Sequence, residues 1–355
     1  MAERRKRLIR LLMLFVSMIL ILQAEAGSPA GQNTLTGVFM PEMITIAGDT
    51  LYVVEGPEVL AFSLKDRALL RKIGGRGEGP GEFRAADYWY NTVTVLPDAI
   101  LVDGFDKTVR FSKEGKLVSE ARKPLGFSRM VPVGENFVAV KLEHFEKDLQ
   151  FHCLHLLNAK GESLKELGRQ ESPVQQTTRT FEMIPDVLNF AVWDDKVFVE
   201  KSREGFVLEI YDSRGERIGR IERKAERTPV TDADRNEAVE AVKTIPFVKR
   251  AGFEEFKRMS TLVWPDALPA IRDFAVAGGQ IFARTSKRRG DRENWLVLDM
   301  RGEILSDVYM PRVEDAPLLA TLNGVHYYAV HDNRLFYLKA DEATDDWGLF
   351  IAEFK

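Results

Sequence analysis

MITIAGDTLYVV, residues 43 to 54, holds two short apolar runs joined by Gly48-Asp49. Alternating β-branched and aromatic residues favour strands, and a Gly-Asp pair suits the positive φ angles of a tight hairpin. The layout returns in TVTVLPDAILV (92–102), MVPVGENFVAV (130–140), NFAVWDDKVFV (189–199), DFAVAGGQIFA (273–283) and LLATLNGVHYYAV (318–330). Six copies of one hairpin signal a repeat architecture.

A second hairpin is interleaved with the first. RFSKEGKLV (110–118), LLNAKGESL (156–164), IYDSRGERI (210–218) and VLDMRGEIL (297–305) each place a polar pair, a charge and a glycine between apolar runs. AFSLKDRALL (61–70) is the same element with Asp66 in the glycine slot, and LFYLKADEATDDWGLFIAEF (335–354) is a copy with a longer loop. Two hairpins per repeat make a four-stranded antiparallel sheet. Six such sheets predict an all-β fold, a six-bladed β-propeller, which protects its sheet edges by radial repetition. A β-sandwich would not require two turn types to alternate in this way.

The densest glycine stretch, GGRGEGPGEF (74–83), falls between the first and second repeats. Its glycines permit a sharp path from the rim of one blade to the axis of the next, and Phe83 is placed to fill the gap between them. A phosphate-binding loop is the competing reading. The stretch lacks a Gly-Lys-Ser/Thr ending and leads into a strand, whereas phosphate loops lead into a helix. Together with ILVDGFDKTVRFSKEGKLV (100–118), GGRGEGPGEF resembles an NHL-type propeller repeat of the bacterial exported six-bladed propellers. The resemblance covers residues 74 to 118 and departs just after Phe83, where RAADYWY replaces the usual proline and glycine. It implies a fold and no activity, because propellers host many functions.

The chain opens MAERRKRLIR, followed by the apolar run LLMLFVSMILIL and by Ala24 and Ala26 in small-x-small spacing. This predicts a signal peptide over 1–26 and a single propeller domain over 27–355, exported to the periplasm or cell exterior. The rival is an uncleaved anchor, although the run is short for a membrane span of roughly 20 residues. The 329 residues after cleavage carry 45 basic and 52 acidic side chains, a net charge of −7. Such a balance argues against nucleic acid as a partner. One cysteine, Cys153, excludes an internal disulfide, so the fold must rest on its core.

In a propeller the loops entering the first strand and those between the second and third strands share one face. The residues expected to end the second strands are Glu55, Asp103, Lys141, Glu200, Arg284 and His331. Beside them lie Glu143, His144, Lys201, Lys287, His326 and Asp332, and the linkers add Arg76, Glu78, Arg129 and Arg272. Acidic residues at strand ends also cap turns. Taken together, Glu55, Arg76, Asp103, Lys141, His144, Glu200, Arg272, Arg284 and His331 form the candidate ligand-binding ring. No catalytic residue and no cofactor are expected. Ca²⁺ held by Glu55, Asp103 and Glu200 is conceivable, but Lys141 and Arg284 would oppose a dication. His152 and His155 in FHCLHLL face opposite sides of a strand and cannot share a metal, and Cys153 reads as buried and inert.

One stretch breaks the β rhythm. Thr231 with Asp234 predicts a helix N-terminus, with the helix running to about Lys243, and a second short helix follows over Gly252–Met259. The insertion (231–264) lies between the fourth and fifth repeats and carries Phe247, Phe253, Phe256 and Trp264 on an apolar side. It is expected to pack as a decoration, with a lid or docking element as the alternative. The sequence thus predicts a binding module for a polar ligand, a peptide or a protein partner. Two alternatives stand beside it: a metal-dependent hydrolase or lyase of the lactonase or NHL-lyase kind, and a structural subunit of a surface assembly.

Overall fold

The apolar runs form strands wherever β-branched and aromatic residues alternate between punctuating turns. The computed structural model describes residues 33–84, 90–145, 149–224, 228–313, 325–341 and 343–355. The leader expected over 1–26 lies outside them, as do residues 85–89 of RAADYWY. Among the described residues, no helix is long and apolar enough to cross a membrane.

The first sheet holds β1 (Met43–Ala47), β2 (Thr50–Glu55), β3 (Glu58–Ser63) and β4 (Leu69–Gly74). The second holds β5 (Thr92–Val95), β6 (Ile100–Asp103), β7 (Lys107–Phe111) and β8 (Leu117–Arg122). The third holds β9 (Phe127–Val133), β10 (Asn136–His144), β11 (Gln150–Leu157) and β12 (Ser163–Glu171). After short β13 (Val174–Gln175) and β14 (Thr180–Glu182) comes the fourth: β15 (Phe190–Trp193), β16 (Lys196–Glu200), β17 (Phe206–Asp212) and β18 (Arg217–Arg223). Helices α1 (Asp232–Lys243), α2 (Pro246–Ala251) and α3 (Phe253–Met259) and strand β19 (Thr261–Val263) follow. The fifth sheet is β20 (Asp273–Ala277), β21 (Gln280–Arg289), β22 (Arg292–Asp299) and β23 (Ile304–Pro311). The last is β24 (Tyr328–His331), β25 (Arg334–Ala340) and β26 (Trp347–Glu353).

These sheets run up and down in chain order. Strand β1 contacts β5 and β24, β20 contacts β15 and β24, and β9 contacts β6 and β15. The sheets therefore stand in a circle about their first strands, the arrangement of a β-propeller. Apolar clusters fill the gaps between neighbours: Leu51, Leu60 and Phe62 meet Phe336 and Leu349, and Phe198 and Leu208 meet Phe274 and Ile281. The last sheet gains an N-terminal segment. Leu35 N–H donates to Trp347 O at 2.8 Å and Leu349 N–H to Asn33 O at 2.9 Å, while Thr34 bridges Gly348.

The outer turns have a common cause. The Asn158, Asp212 and Asp299 side chains each accept N–H groups two and four residues on, and Gly161, Gly215 and Gly302 follow at φ +79°, +78° and +89°. The side-chain oxygen replaces a backbone turn partner, and glycine takes the left-handed position without a Cβ penalty. In the copy at 61–70 the left-handed residue is Arg67 (φ +59°), so the glycine slot falls one residue later than Asp66.

The sixth hairpin is also corrected. Residues 318–324 of LLATLNGVHYYAV, Asn323-Gly324 among them, lie outside the described residues, and the first two described strands of the last sheet, β24 and β25, turn at Asp332-Asn333, both left-handed. Asp and Asn tolerate that conformation better than other non-glycine residues, which makes the pair equivalent to a Gly-rich turn. His331 consequently ends a first strand, at the opposite end of the sheet from the expected mouth. Lys141 and Arg284 lie inside long strands rather than at their ends, because β10 runs on to His144 and β21 to Arg289.

The insertion begins as expected, with a reciprocal capping box between Thr231 and Asp234. It contains one further helix, α2, started by Pro246. Its aromatic side rests on a small core of its own: Val242, Ile245, Val248 and Phe256 pack with Phe181 and Met183. Strand β19 pairs parallel to β14, so the insertion is tied to the segment between the third and fourth sheets.

Candidate functional site

Strand β20 begins at the channel mouth with Asp273, directly opposite Arg284 on β21. Asp273 is buried and accepts hydrogen bonds from the Tyr328 hydroxyl and, at 2.7 Å, from Phe274 N–H. His326 Nδ1 lies 3.0 Å from Oδ2, the same oxygen that the tyrosine engages. Burial and the adjoining carboxylate push the Tyr328 hydroxyl well above its usual range, so it serves as a hydrogen-bond donor. Arg129 stacks its guanidinium 4.2 Å over the Phe190 ring and donates to Phe190 O at 2.8 Å. Burial pulls its pKa down to about 10 against the opposing influence of Asp273.

Beside this group, Glu293 on β22 is 1% exposed and gathers cations. It accepts from Arg284 Nε at 2.7 Å and Arg272 Nη1 at 2.9 Å, with Arg288 and Arg312 each 3.9 Å away. Arg288 and Arg312 also reach Glu237 on α1, the former at 2.8 Å. Salt bridges thus dock the first helix onto the fifth sheet.

Between α1 and the mouth is a cavity of about 160 Å³. Met183, Pro185, Val187, Leu268 and Ile271 give it apolar walls, and Ala238 and Ala241 are the small helix residues that leave room. Asp273, His326, Tyr328, Arg272, Arg284 and Arg288 supply a mixed-sign floor, with Asp186, Asp234 and Glu237 at its sides. Such a chamber can hold a molecule with apolar bulk and a few charged or hydrogen-bonding groups.

Of the nine expected ring residues, Arg272 and Arg284 line this cavity. Glu200 is buried near it; Asn189 Nδ2 donates to its Oε2 at 3.1 Å, while Oε1 and Asn189 Oδ1 have no hydrogen-bond partner. Burial, then the nearby Asp186 carboxylate, hold the Glu200 carboxyl well above the ordinary range. Asp103 is instead part of a buried pair with Lys123 (3.1 Å) and accepts Met130 N–H, tying the second sheet to the third. Glu55 accepts the N–H groups of Phe39 and Met40 at 3.1 and 2.7 Å. Lys141 pairs with Glu143 at 2.8 Å, and His144 meets Gln150 at 3.3 Å. Arg76 is exposed on the linker, where its backbone bridges Phe83, and His331 sits by Asp332 on its hairpin. Glu55, Asp103 and Glu200, the conceivable Ca²⁺ donors, each face different partners: the N-terminal segment for Glu55, Lys123 and Met130 for Asp103, and Asn189 for Glu200. His152, on the face of β11 away from His155, is pushed down to about 4 by burial.

Sequence reading missed Asp273, Glu293 and Tyr328. Asp273 was visible as the polar opening of DFAVAGGQIFA, but Glu293 in GDREN has the look of a solvated turn.

Glu42 gives a test of the mouth's electrostatics. Burial, aided by the Glu55 carboxylate, raises its pKa to about 7 from 4.5. Between those values the native state keeps a proton that the unfolded chain releases, so its contribution to stability falls as pH rises through that window. Glu42→Gln is expected to remove this dependence and to be more stable than the parent at pH 8 by on the order of 3 kcal/mol. Urea unfolding at pH 4.5 and pH 8 reads it; an equal difference at both pH values would contradict the assignment.

No protein family and no curated protein matches the sequence. Solved structures with similar layout are β-propeller proteins. BamB from Moraxella catarrhalis is 11% identical with a TM-score of 0.32, over 86% of this chain and 68% of that one. Hsv2 from Kluyvelomyces marxianus is 10% identical with a TM-score of 0.34, over 87% and 83%. PorZ, a surface component of the type-IX secretion system of Porphyromonas gingivalis, is 8% identical with a TM-score of 0.38, over 88% and 33%. At such scores the likeness carries no argument about what this chain binds or does.

Proposed function

We propose that the chain is an exported six-bladed propeller of NHL-like kind that works as a binding module. Its occupant, a polar small molecule or a peptide segment of a partner protein, sits between the channel mouth and the helical insertion. The carrying observation is the cavity itself, with apolar walls from the insertion side and the Asp273–His326–Tyr328 and Arg272–Arg284–Arg288 groups as its floor. Six sheets in a circle, the last extended by residues 33–35, support the blade count. The basic-then-apolar opening supports export. A catalytic reading would need donors or a nucleophile free to react at the mouth, where Asp273 is already engaged by Tyr328 and His326.

The test is calorimetric titration of the chain from residue 27 with a library of short peptides bearing free C-termini and a set of small polar acids. Ala241→Trp should fill the cavity, and Arg288→Ala should remove a floor cation and its bond to the helix. Each is expected to weaken the best binder at least about tenfold, equivalent to 1.4 kcal/mol. Affinity unchanged in both variants would place the binding elsewhere and overturn the proposal.

A further inference from the structure

The third sheet carries a separate cluster, spread over β10, β11 and β12. Strand geometry puts Cys153 and His155, two residues apart on β11, on one face. Across the ladder, Lys141 stands opposite Cys153, with Glu143 two residues further along β10 on the same face. On the other side Glu166 of β12 pairs with His155. One donor atom from each of Glu143, Cys153, His155 and Glu166 lies within 4.8 Å of all the others.

The histidine shows that this is more than a crowd of carboxylates. His155 is 8% exposed, and its Nδ1 lies 2.9 Å from Ser163 Oγ. Its Nε2 is buried, has no hydrogen-bond partner, and points at Glu143 Oε1 from 3.6 Å. A buried ring nitrogen left without a partner is costly. In the tautomer whose Nδ1–H donates to Ser163, Nε2 presents its lone pair toward the carboxylates, the orientation that a metal-bound imidazole takes when a neighbour fixes its tautomer. Lone pair facing carboxylate is repulsive unless a cation stands between them.

We propose that Glu143, Cys153, His155 and Glu166 form a binding site for a borderline transition-metal dication, Zn²⁺ above all. One sulfur, one imidazole nitrogen and two carboxylate oxygens are a zinc donor set, too soft for Mg²⁺ or Ca²⁺. Tetrahedral zinc with bonds of about 2.0–2.3 Å holds its donors roughly 3.3–3.6 Å apart, so the four must draw in by about 1 Å. Two cations now rest on the carboxylates: Lys141 on Glu143 at 2.8 Å, and Arg169 on Glu166 through bonds of 2.6 and 2.8 Å. Both are long side chains with 36% and 45% of their side-chain surface exposed, able to swing toward solvent. Binding replaces the proton of the Cys153 thiol by the metal, and that proton leaves to solvent; nothing is oxidised or reduced. The site ties the three outer strands of this sheet together without any disulfide.

Cobalt is the probe. Co²⁺ added to the protein purified with chelator and then desalted should give one equivalent of thiolate-to-cobalt charge-transfer absorption, removed by stoichiometric Zn²⁺. Cys153→Ser should abolish that band. Glu166→Gln, at a position with 27% of its side-chain surface exposed and outside the apolar core, should weaken Zn²⁺ at least tenfold. Ser163→Ala, which removes only the tautomer-fixing partner, should weaken it roughly 10–100-fold. Mg²⁺ and Ca²⁺ should not compete. Absence of the band in the folded parent protein, or Zn²⁺ affinity equal in the parent, Cys153→Ser and Glu166→Gln proteins, would overturn the site.

Discussion

Glu293→Ala is expected to cost about 3–5 kcal/mol of stability, because it strands buried positive charge. The Glu293 side chain is 1% exposed and its partner Arg284 4%, so water cannot replace the lost carboxylate. Arg272, Arg288 and Arg312 also face that carboxylate and would then repel one another. Replacing both members of the central pair has a different sign of logic. Glu293→Leu with Arg284→Met removes the stranded charge and is expected to recover more than half of the loss, since apolar replacements of buried pairs are often near neutral. Urea unfolding of the parent, Glu293→Leu, Arg284→Met and the double variant gives the coupling. A loss under about 1 kcal/mol for Glu293→Ala would show that the guanidiniums reach solvent and that the mouth is wetter than its geometry implies.

The same cluster shows why the fold was legible and the site only partly so. Strands and turns obey local rules. Gly48, the Asp212-x-x-Gly215 turn and the Thr231–Asp234 box each declare themselves within five residues, and the structure realises them with the hydrogen bonds those residues favour. The error at the last sheet has a local origin too. Asn323-Gly324 is the stronger turn signal by composition, but Tyr328–His331 and Arg334–Ala340 pair about Asp332-Asn333. A site is assembled from afar. Asp273 meets a tyrosine 55 residues on, and Arg288 meets a helix 51 residues back. Position at a strand end picked out charged residues as a class. It could not separate Asp103, locked to Lys123, from Arg284, which lines the cavity. Nor could spacing alone reveal that Cys153 and His155 face Glu143 and Glu166, because the register of β10 and β12 decides that.

The glycine-rich linker yields the other large effect. Phe83, 2% exposed, is inserted between the first and second sheets, in the cluster of Ile73, Val93, Val109 and Phe111. The chain is clamped about it: Phe83 N–H donates to Gly75 O at 2.7 Å and its carbonyl accepts from Gly77 N–H at 3.1 Å. Two glycines make the socket. A Cβ at Gly74 would stand 2.9 Å from the Phe83 ring and one at Gly104 2.7 Å from it, both inside contact distance. Phe83→Ala should therefore cost about 3–5 kcal/mol, through lost burial and the cavity left behind. Gly104→Ala should cost about 1–3 kcal/mol, because the ring must move within a packed interface. The two effects share one cause, so they should not add. In a Phe83→Leu background, Gly104→Ala meets a shorter side chain and its cost should shrink to less than half. Denaturant melts of the four proteins measure the cycle. If Gly104→Ala costs the same beside Phe83 and beside Leu, the glycine serves backbone conformation rather than the aromatic socket, and the linker's composition needs a different explanation.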